Sequence, residues 1–342
     1  MNILLTSVGR RSYLVEYFKA AMTRAVGSHS RVYVANSEVS PAWKAADQGI
    51  VTPLIYDENY IPFLLETCRK YQIDLLLSLF DADLPVLAKY KGLFAMAGTT
   101  VVVSDPEVIQ ICNDKWATME FLKKLKLPVP ATFLSLPESL AALREGCISW
   151  PVMVKPRWGM GSLAIYEAEN EEELKILYQK SRRQISRGYL QYEARQDVES
   201  CVLIQEKLTG QEYGLDVIND LNGNYQTTIV KKKLAMRSGE TDMAETVDYP
   251  ALKMLGEILG RNLGHLGNLD ADVFDVDGKR YVLEMNARFG GGYPFSHLAG
   301  VDLPEAIIRW KLGNPLDSAL LVPRIGVTGY KDLVPKAFVQ KG

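Results

Sequence analysis

Two polar clusters in the 342-residue chain combine residue types that could hold a metal ion: Asp270-Ala271-Asp272, and Glu284-Met285-Asn286-Ala287-Arg288. They lie either side of Asp277-Gly278, in stretches of alternating polarity that read as a β-hairpin over 269–286. Side chains two apart share a face. Leu269, Ala271 and Val273 then share one face with Tyr281, Leu283 and Met285, and Asp270 and Asp272 share the other with Glu284 and Asn286. Directly opposed residues share a face, so Asp272 is expected opposite Glu284. A two-residue turn at Asp277-Gly278 cannot give that pairing, whereas a three-residue loop, Asp277-Gly278-Lys279, does. Facing carboxylates repel unless a cation lies between them. Oxygen-only ligands suit Mg²⁺ or Mn²⁺ rather than zinc. The bland alternative is an acidic stripe facing solvent.

A second constellation could hold phosphate. Lys155 ends an apolar strand over 151–155, and the loop Arg157-Trp158-Gly159-Met160-Gly161-Ser162 follows. Gly159 to Ala164 fits GxGxxA, but that fingerprint needs a helix next, because the pyrophosphate sits on a helix N-terminus. Residues 163–168 prefer a strand instead. A glycine loop between two strands can close over a triphosphate with its backbone N–H groups; a plain flexible hairpin is the alternative. Lys115, in Asn113-Asp114-Lys115-Trp116, lies about forty residues upstream of Lys155, and two lysines at one site can neutralise phosphate charge. Surface lysines are the commoner case. The apolar strand 202–208 turns polar at its end, where free backbone groups could read an adenine edge, and Glu212 could accept from ribose hydroxyls.

The elements that must position these residues change character along the chain. The first hundred residues alternate: strands over 2–7, 31–35, 74–78 and 101–104, helices over 12–25, 60–70 and 83–89. Such alternation argues an α/β fold with a parallel sheet covered by helices. A helical stretch runs from Pro106 through Asp114 to Lys126, where Leu127-Pro128-Val129-Pro130 breaks it. Asn170 with Glu173 resembles a capping box opening a helix to Gln179. Strands over 202–208, 212–219 and 225–234 follow, then helices over 250–263 and 304–311.

Composition narrows the function classes. Lysine plus arginine total 39 and aspartate plus glutamate 41, a net charge of −2, so the basic excess of a dedicated DNA binder is absent. Hydrophobic residues at 47% and charged residues at 23% exclude disorder. Cys68, Cys112, Cys147 and Cys201 have no CxxC spacing and read as reduced, buried thiols. No apolar run reaches the roughly 18 residues of a membrane span, and Arg10-Arg11 follow the first strand rather than precede it, unlike a signal peptide. A cytoplasmic protein is expected, with no nucleic-acid or membrane partner.

Taken in order, Asp114-Lys115, Val154-Lys155-Pro156 with its glycine loop, Gln205-Glu206-Lys207-Leu208 with Glu212, and Asp272 with Glu284-Met285-Asn286-Ala287-Arg288 resemble the ATP-grasp superfamily. The Glu-Met-Asn-x-Arg run is similar to that of carbamoyl-phosphate synthase large subunits. The resemblance implies a Rossmann-like parallel sheet over 1–112, a lid over 113–202 and an α+β ATP-binding part over 203–342. It implies ATP and Mg²⁺ (or Mn²⁺) as cofactors. Lys115 and Lys155 would hold phosphates, and Gly159, Gly161 and Ser162 would cover them. The Gln205 segment would meet adenine, with Glu206 and the backbone of Lys207 and Leu208, and Glu212 would meet the ribose. Asp272, Glu284 and Asn286 would bind metal, and Arg288 would stabilise the transferring phosphoryl group. The first-strand ligand in the family is often Glu or Gln; Asp272 is one methylene shorter.

The implied activity is an ATP-dependent, ADP-forming carboxylate–amine (or thiol) ligase working through an acyl phosphate on small-molecule substrates. A homodimer is one assembly compatible with it. Gly290-Gly291-Gly292-Tyr293-Pro294 should line the acceptor site, Arg237 with Gly239 and Glu240 is placed within reach of it, and Arg10 and Arg11 at the start of the first helix favour an anion. The rival is an ATP-binding regulatory or assembly subunit without turnover. A nicotinamide oxidoreductase is disfavoured, because the glycine loop lacks its helix.

Overall fold

The computed structural model describes residues 1–161 and 163–332; Ser162, expected in the phosphate-covering loop, lies outside them. Strands and helices alternate first: β1 (Asn2–Thr6), α1 (Ser12–Ala25), β2 (Arg31–Asn36), β3 (Gln48–Val51), α2 (Tyr60–Lys70), β4 (Leu75–Ser78), α3 (Leu84–Met96) and β5 (Thr100–Val101). The strands form a parallel sheet in the order β3-β2-β1-β4-β5. Every residue of β4 is buried, as a parallel strand covered on both faces requires. Helix α1 buries Leu14, Val15, Phe18, Ala21 and Met22, one apolar stripe at helical spacing. The sheet order reverses between β1 and β4, so the loops after these strands open a crevice at their carboxyl ends.

The helix expected over 106–126 is two helices, α4 (Pro106–Asn113) and α5 (Lys115–Lys124). Asp114 between them is extended (φ −99°, ψ 106°), and its side chain caps α5 by accepting from the Trp116 N–H. Aspartate favours such a cap over a helix interior because its carboxylate competes for backbone donors. Arg157 fixes the break: its Nε and Nη2 each donate to the Asp114 carboxylate at 2.8 Å.

A four-stranded antiparallel sheet follows, built from β6 (Thr132–Phe133), β7 (Val152–Pro156), β8 (Tyr166–Ala168) and β9 (Val202–Glu206) in the order β6-β9-β7-β8. It carries α6 (Leu136–Arg144), α7 (Glu171–Arg187) and the short α8 (Gln191–Ala194). The strand expected over 163–168 starts only at Tyr166, because Gly161 and Ala164 take positive φ and extend the loop. Helix α7 runs two turns past Gln179. Asn170 caps it as expected, its Oδ1 accepting from the Glu173 N–H at 3.0 Å, while the Glu173 carboxylate reaches back one residue further than a capping box, to the Glu169 N–H.

The last sheet is antiparallel and six-stranded. Its strands are β10 (Gln211–Asn219), β11 (Tyr225–Arg237), β12 (Glu240–Thr246), β13 (Gly267–Val276), β14 (Lys279–Asn286) and β15 (Thr328–Tyr330), in the order β14-β13-β10-β11-β12-β15. Helices α9 (Pro250–Leu263), α10 (Tyr293–Leu298) and α11 (Leu303–Leu312) pack with it. One core cluster runs from Leu4 and Leu76 of the first sheet to Leu215, Leu269 and Met285 of the last, so the two sheets share apolar packing. Three cysteines are buried; Cys147 is exposed, contrary to expectation. Among the described residues no helix is long and apolar enough to cross a membrane.

Candidate active site

The β13–β14 hairpin puts the acidic cluster together. Asp272 pairs with Glu284 and Asp270 with Asn286, while Leu269, Ala271 and Val273 are buried on the other face. The route to that register differs from the expected three-residue loop. Val276 pairs with Lys279 across a two-residue turn at Asp277-Gly278, both at positive φ, as a type I′ turn requires. A β-bulge restores the parity: Asp272 opposes Glu284 but Val273 opposes Val282, so Leu283 is the extra residue.

A lysine sits at these carboxylates. Lys233 of β11 donates to Glu212 Oε1 and to Asp272 Oδ1, both at 2.6 Å. Gly214 lies between: a Cβ there would stand 3.5 Å from Lys233 Cε and 3.7 Å from Lys231 Cε. A methyl group at 214 would meet both lysine stems in ordinary van der Waals contact. Desolvation, with the push of Asp270 and Glu212, outweighs the pull of Lys233 and lifts the Asp272 carboxyl to about 6. Lys231, one turn of the pleat away, forms a fully buried ion pair with Asp216, which also accepts from Ser296 and Asn268.

Both lysines read as phosphate ligands are buried. Lys115 opens α5, where the break at Asp114 aims it back at the glycine loop; its Nζ donates to the Gly159 carbonyl at 2.6 Å and stands 3.6 Å from Glu284 Oε1. Among the described residues the Lys155 ammonium has one hydrogen-bond partner, Gln205 Oε1 at 2.7 Å. Burial and the neighbouring Lys115 lower its pKa to about 7, against the pull of Glu284. Gly159 has φ +157°, and a Cβ would stand 3.3 Å from Pro156 Cβ and 3.4 Å from Leu190 Cδ1. Gly161, at φ +64°, has open space around it. Gln205 also donates to Thr132 Oγ1 at 2.7 Å. The Glu206 carboxylate accepts from the Ala131 N–H at 3.1 Å, Lys207 is exposed and pairs with Glu167, and Leu208 is half-buried.

Arg288 is held between two sheets. Its Nε and Nη2 donate to Asp81 Oδ2 at 3.0 and 2.7 Å, and its Nη1 to Asp270 Oδ2 at 3.2 Å. Burial opposes the charge, but Asp81 and Asp270 outweigh it and hold the guanidinium firmly protonated. A Cβ on Gly290 would fall 2.1 Å from Asp270 Cγ, so the following loop can lie against that carboxylate only as glycine. Arg11 donates to the carbonyls of Leu79 and Phe289, tying the first strand's loop to the same place. Arg237 lies apart, on the exposed end of β11, paired with Asp242 and donating to the Lys331 carbonyl. Glu240 is the residue from that hairpin that approaches Gly291, with its Cδ 3.4 Å from where a Cβ would be. Arg10 is exposed.

Sequence reasoning missed Lys233, Asp81, Asn113 and Arg157. Lys233 had a signal: in the run Lys231-Lys232-Lys233 on a strand, the first and third side chains share the face of Asp272. The partners of the others are far away in the chain and left none. Among the described residues no three acidic, histidine or cysteine side chains cluster closely enough to hold a metal by themselves. The candidate set is mixed, two opposed carboxylates and the amide of Asn286, and its all-oxygen chemistry fits Mg²⁺ or Mn²⁺.

Residues 3–102 match the model of a PylC-like N-terminal domain, and residues 112–292 that of an ATP-grasp domain. A curated relative, the arginine-specific carbamoyl phosphate synthase large chain of Geobacillus stearothermophilus, is 23% identical over 293 residues. That alignment covers 81% of this chain and 26% of the relative, so the chain spans about a quarter of the relative's length. Among solved structures, biotin carboxylase from Campylobacter jejuni aligns with a TM-score of 0.73 at 16% identity, covering 95% of this chain and 73% of that one. An L-amino acid ligase from Bacillus licheniformis gives 0.71 at 19%, covering 98% and 81%. At these identities the likeness is one of fold.

Proposed function

Because the chain belongs to the ATP-grasp family, we propose that it is an ATP-dependent, ADP-forming ligase that joins a small-molecule carboxylate to an amine (or a thiol) through an acyl phosphate. One observation carries the reading beyond family: two buried lysines, one on α5 and one on β7, converge with the two opposed carboxylates of the β13–β14 hairpin and with Arg288, which Asp81 holds from the first sheet's crevice.

Lys115 and Lys155 would bind phosphate oxygens, each already desolvated, so that little water must be displaced when the nucleotide enters. The loop at Gly159 and Gly161 would lie over the phosphates, with the end of β9 at Gln205–Leu208 beside the base and Glu212 beside the ribose. Glu284, Asp272 and Asn286 would hold Mg²⁺ or Mn²⁺, which when bound offsets charge on the β- and γ-phosphates. Arg288, locked by Asp81 and Asp270, would face the developing charge without reorganising. The acceptor carboxylate oxygen attacks the γ-phosphorus and the bond to the ADP oxygen breaks. The amine nitrogen then attacks the acyl carbon, phosphate leaves with the C–O bond pair, and the amine gives up a proton. Closure of the loop excludes the water that would hydrolyse the intermediate. Arg237 lies outside this cluster and we assign it no step.

The test is ADP release over a panel of carboxylates with hydroxylamine as a general trap, reading hydroxamates by mass spectrometry. Hydroxamate formation from one carboxylate class is expected. Tight ATP binding with no ADP and no hydroxamate across the panel would refute the ligase and favour a regulatory subunit.

A further inference from the structure

A small enclosed cleft lies between the first sheet's crevice and the metal-type carboxylates, lined by Asp81, Asn113, Trp158, Glu193, Glu284 and Asn286. Two buried acceptors belong to it and have no hydrogen-bond partner among the described residues: Asp81 Oδ1 and Asn113 Oδ1. Asp81 is only 4% exposed, and its other oxygen is taken by Arg288. The orientation of the Asn113 amide is fixed, because its Nδ2 donates to the Asp81 carbonyl at 3.1 Å, which leaves the oxygen free.

The nearby cations are already committed, which leaves the Tyr189 hydroxyl and the Trp158 indole as the uncharged donors of the lining. Lys115 is bound to the Gly159 carbonyl and Arg288 to its two aspartates. Glu193, whose carboxyl is raised by burial, accepts from Tyr56 at 2.8 Å. Buried acceptors without donors are rare in folded proteins and ask for a ligand that brings N–H groups. A carboxylate or phosphate brings no N–H donor and would leave both acceptors unsatisfied. A divalent ion would need a tighter set of acidic ligands than the described residues supply here. An alkylammonium offers three N–H donors, one positive charge and a small head.

We propose that this cleft binds the primary amine substrate as its ammonium ion, with Asp81 Oδ1 and Asn113 Oδ1 as the receiving atoms. The ammonium site stands on these buried acceptors; calling its occupant the co-substrate rests on the ligase reading above.

Trp158 lines the cleft and reports on it. The full-length protein is titrated with n-propylammonium and with n-propanol at constant ionic strength, reading tryptophan emission. The ammonium should give a saturable change that propanol does not, and Trp158→Phe should remove it. Asn113→Leu should weaken the ammonium about tenfold, the loss of one charged hydrogen bond. Asn113→Asp should tighten it. Opposite shifts from one position cannot both come from a damaged fold. No saturable change, an equal response to propanol, or two Asn113 variants that bind like wild type would each overturn the site. Hydroxylamine trapping in the same preparations tests the ligase reading separately: hydroxamate without ammonium binding sinks only this site, and ammonium binding without hydroxamate sinks only the co-substrate assignment.

Discussion

Replacing Lys155 by methionine should make the free protein more stable and poorer at holding ATP. Lys155 is buried, and among the described residues it has one neutral hydrogen-bond partner, Gln205, and no carboxylate bonded to it. Its pKa falls from 10.5 to about 7. At about 1.4 kcal/mol per unit, keeping it charged in the fold costs roughly 5 kcal/mol below neutral pH. Methionine removes that cost but strands the Gln205 amide oxygen, a loss of about 1–3 kcal/mol. The net gain should be roughly 2–4 kcal/mol, measured by urea unfolding at pH 6.5. The sign with pH is fixed. The unfolded lysine holds its proton up to 10.5 and the folded one only to about 7. Wild-type stability should therefore rise with pH between those values, and the variant should lack that rise. Affinity for a non-hydrolysable ATP analogue should fall by about tenfold or more in the variant, since a charged phosphate contact is lost. A variant that is less stable at pH 6.5, or one that keeps full affinity, would refute the idea that the fold carries this buried charge for a nucleotide.

Lys115→Met should weaken the same analogue by about tenfold and, by freeing the Gly159 carbonyl, speed proteolysis at the glycine loop; unchanged rates at both would place the nucleotide elsewhere. Glu284→Gln should cut turnover by about 10²–10³ and raise the Mg²⁺ needed for half-maximal rate, so full activity would remove Glu284 from the metal set. Lys233→Met leaves Glu212 and Asp272 facing each other without their shared cation and should cost about 2–3 kcal/mol, less than for fully buried pairs because both carboxylates are partly exposed. Adding Glu212→Gln should restore part of that stability, and no recovery would deny the repulsion. His265 is wholly buried, and burial lowers its pKa from 6.5 to about 4, so stability present above 6.5 should be lost as pH falls toward 4. His265→Asn should flatten that slope in denaturant titrations.

The parallel sheet, the hairpin and the lysine pair were legible because each follows from local pattern. β4 is an apolar run, β13 alternates, and Lys155 is the last residue but one of a strand. The hairpin shows how a local argument can reach the right pairing by the wrong path. Face-matching demanded that Asp272 oppose Glu284, and the turn alone could not provide it. The expected remedy was a longer loop; the fold keeps the favoured two-residue Asp277-Gly278 turn and places the extra residue inside the strand, at Leu283. A bulge has no strong sequence signature, whereas parity does. The break at Asp114 was hidden for a different reason. Asn113-Asp114-Lys115-Trp116 reads as ordinary helix until Arg157, more than forty residues on, is known to claim the carboxylate. Without that break Lys115 would not open a helix facing Gly159, so a long-range ion pair decides where a phosphate-type lysine points.

The same long-range pairs bear on how the site would work. Glu284 stands by Lys115, Asp272 and Glu212 share Lys233, and Asp81 and Asp270 share Arg288. Each of these five acidic groups thus has a protein cation beside it before any ligand arrives. On the ligase reading, entry of a metal-bound nucleotide is an exchange of partners rather than the neutralisation of bare charge. Lys115 would pass from Glu284 to phosphate, and the carboxylates from lysine to metal. Exchange keeps the free site from holding five unpaired carboxylates, three of which, Asp270, Asp272 and Glu284, would otherwise repel across the β13–β14 hairpin. It also links the two ligands. A phosphate that draws Lys115 away from Glu284 leaves that carboxylate more receptive to a cation, and a cation on Glu284 frees Lys115 for phosphate. Nucleotide and metal should then each tighten the other's binding by the same factor. Lys115→Met removes the exchanging group and should shrink that factor, measured as the Mg²⁺ dependence of ATP-analogue affinity. If the factor in Lys115→Met equals that of the wild type, the ion pair at Glu284 plays no part in the exchange.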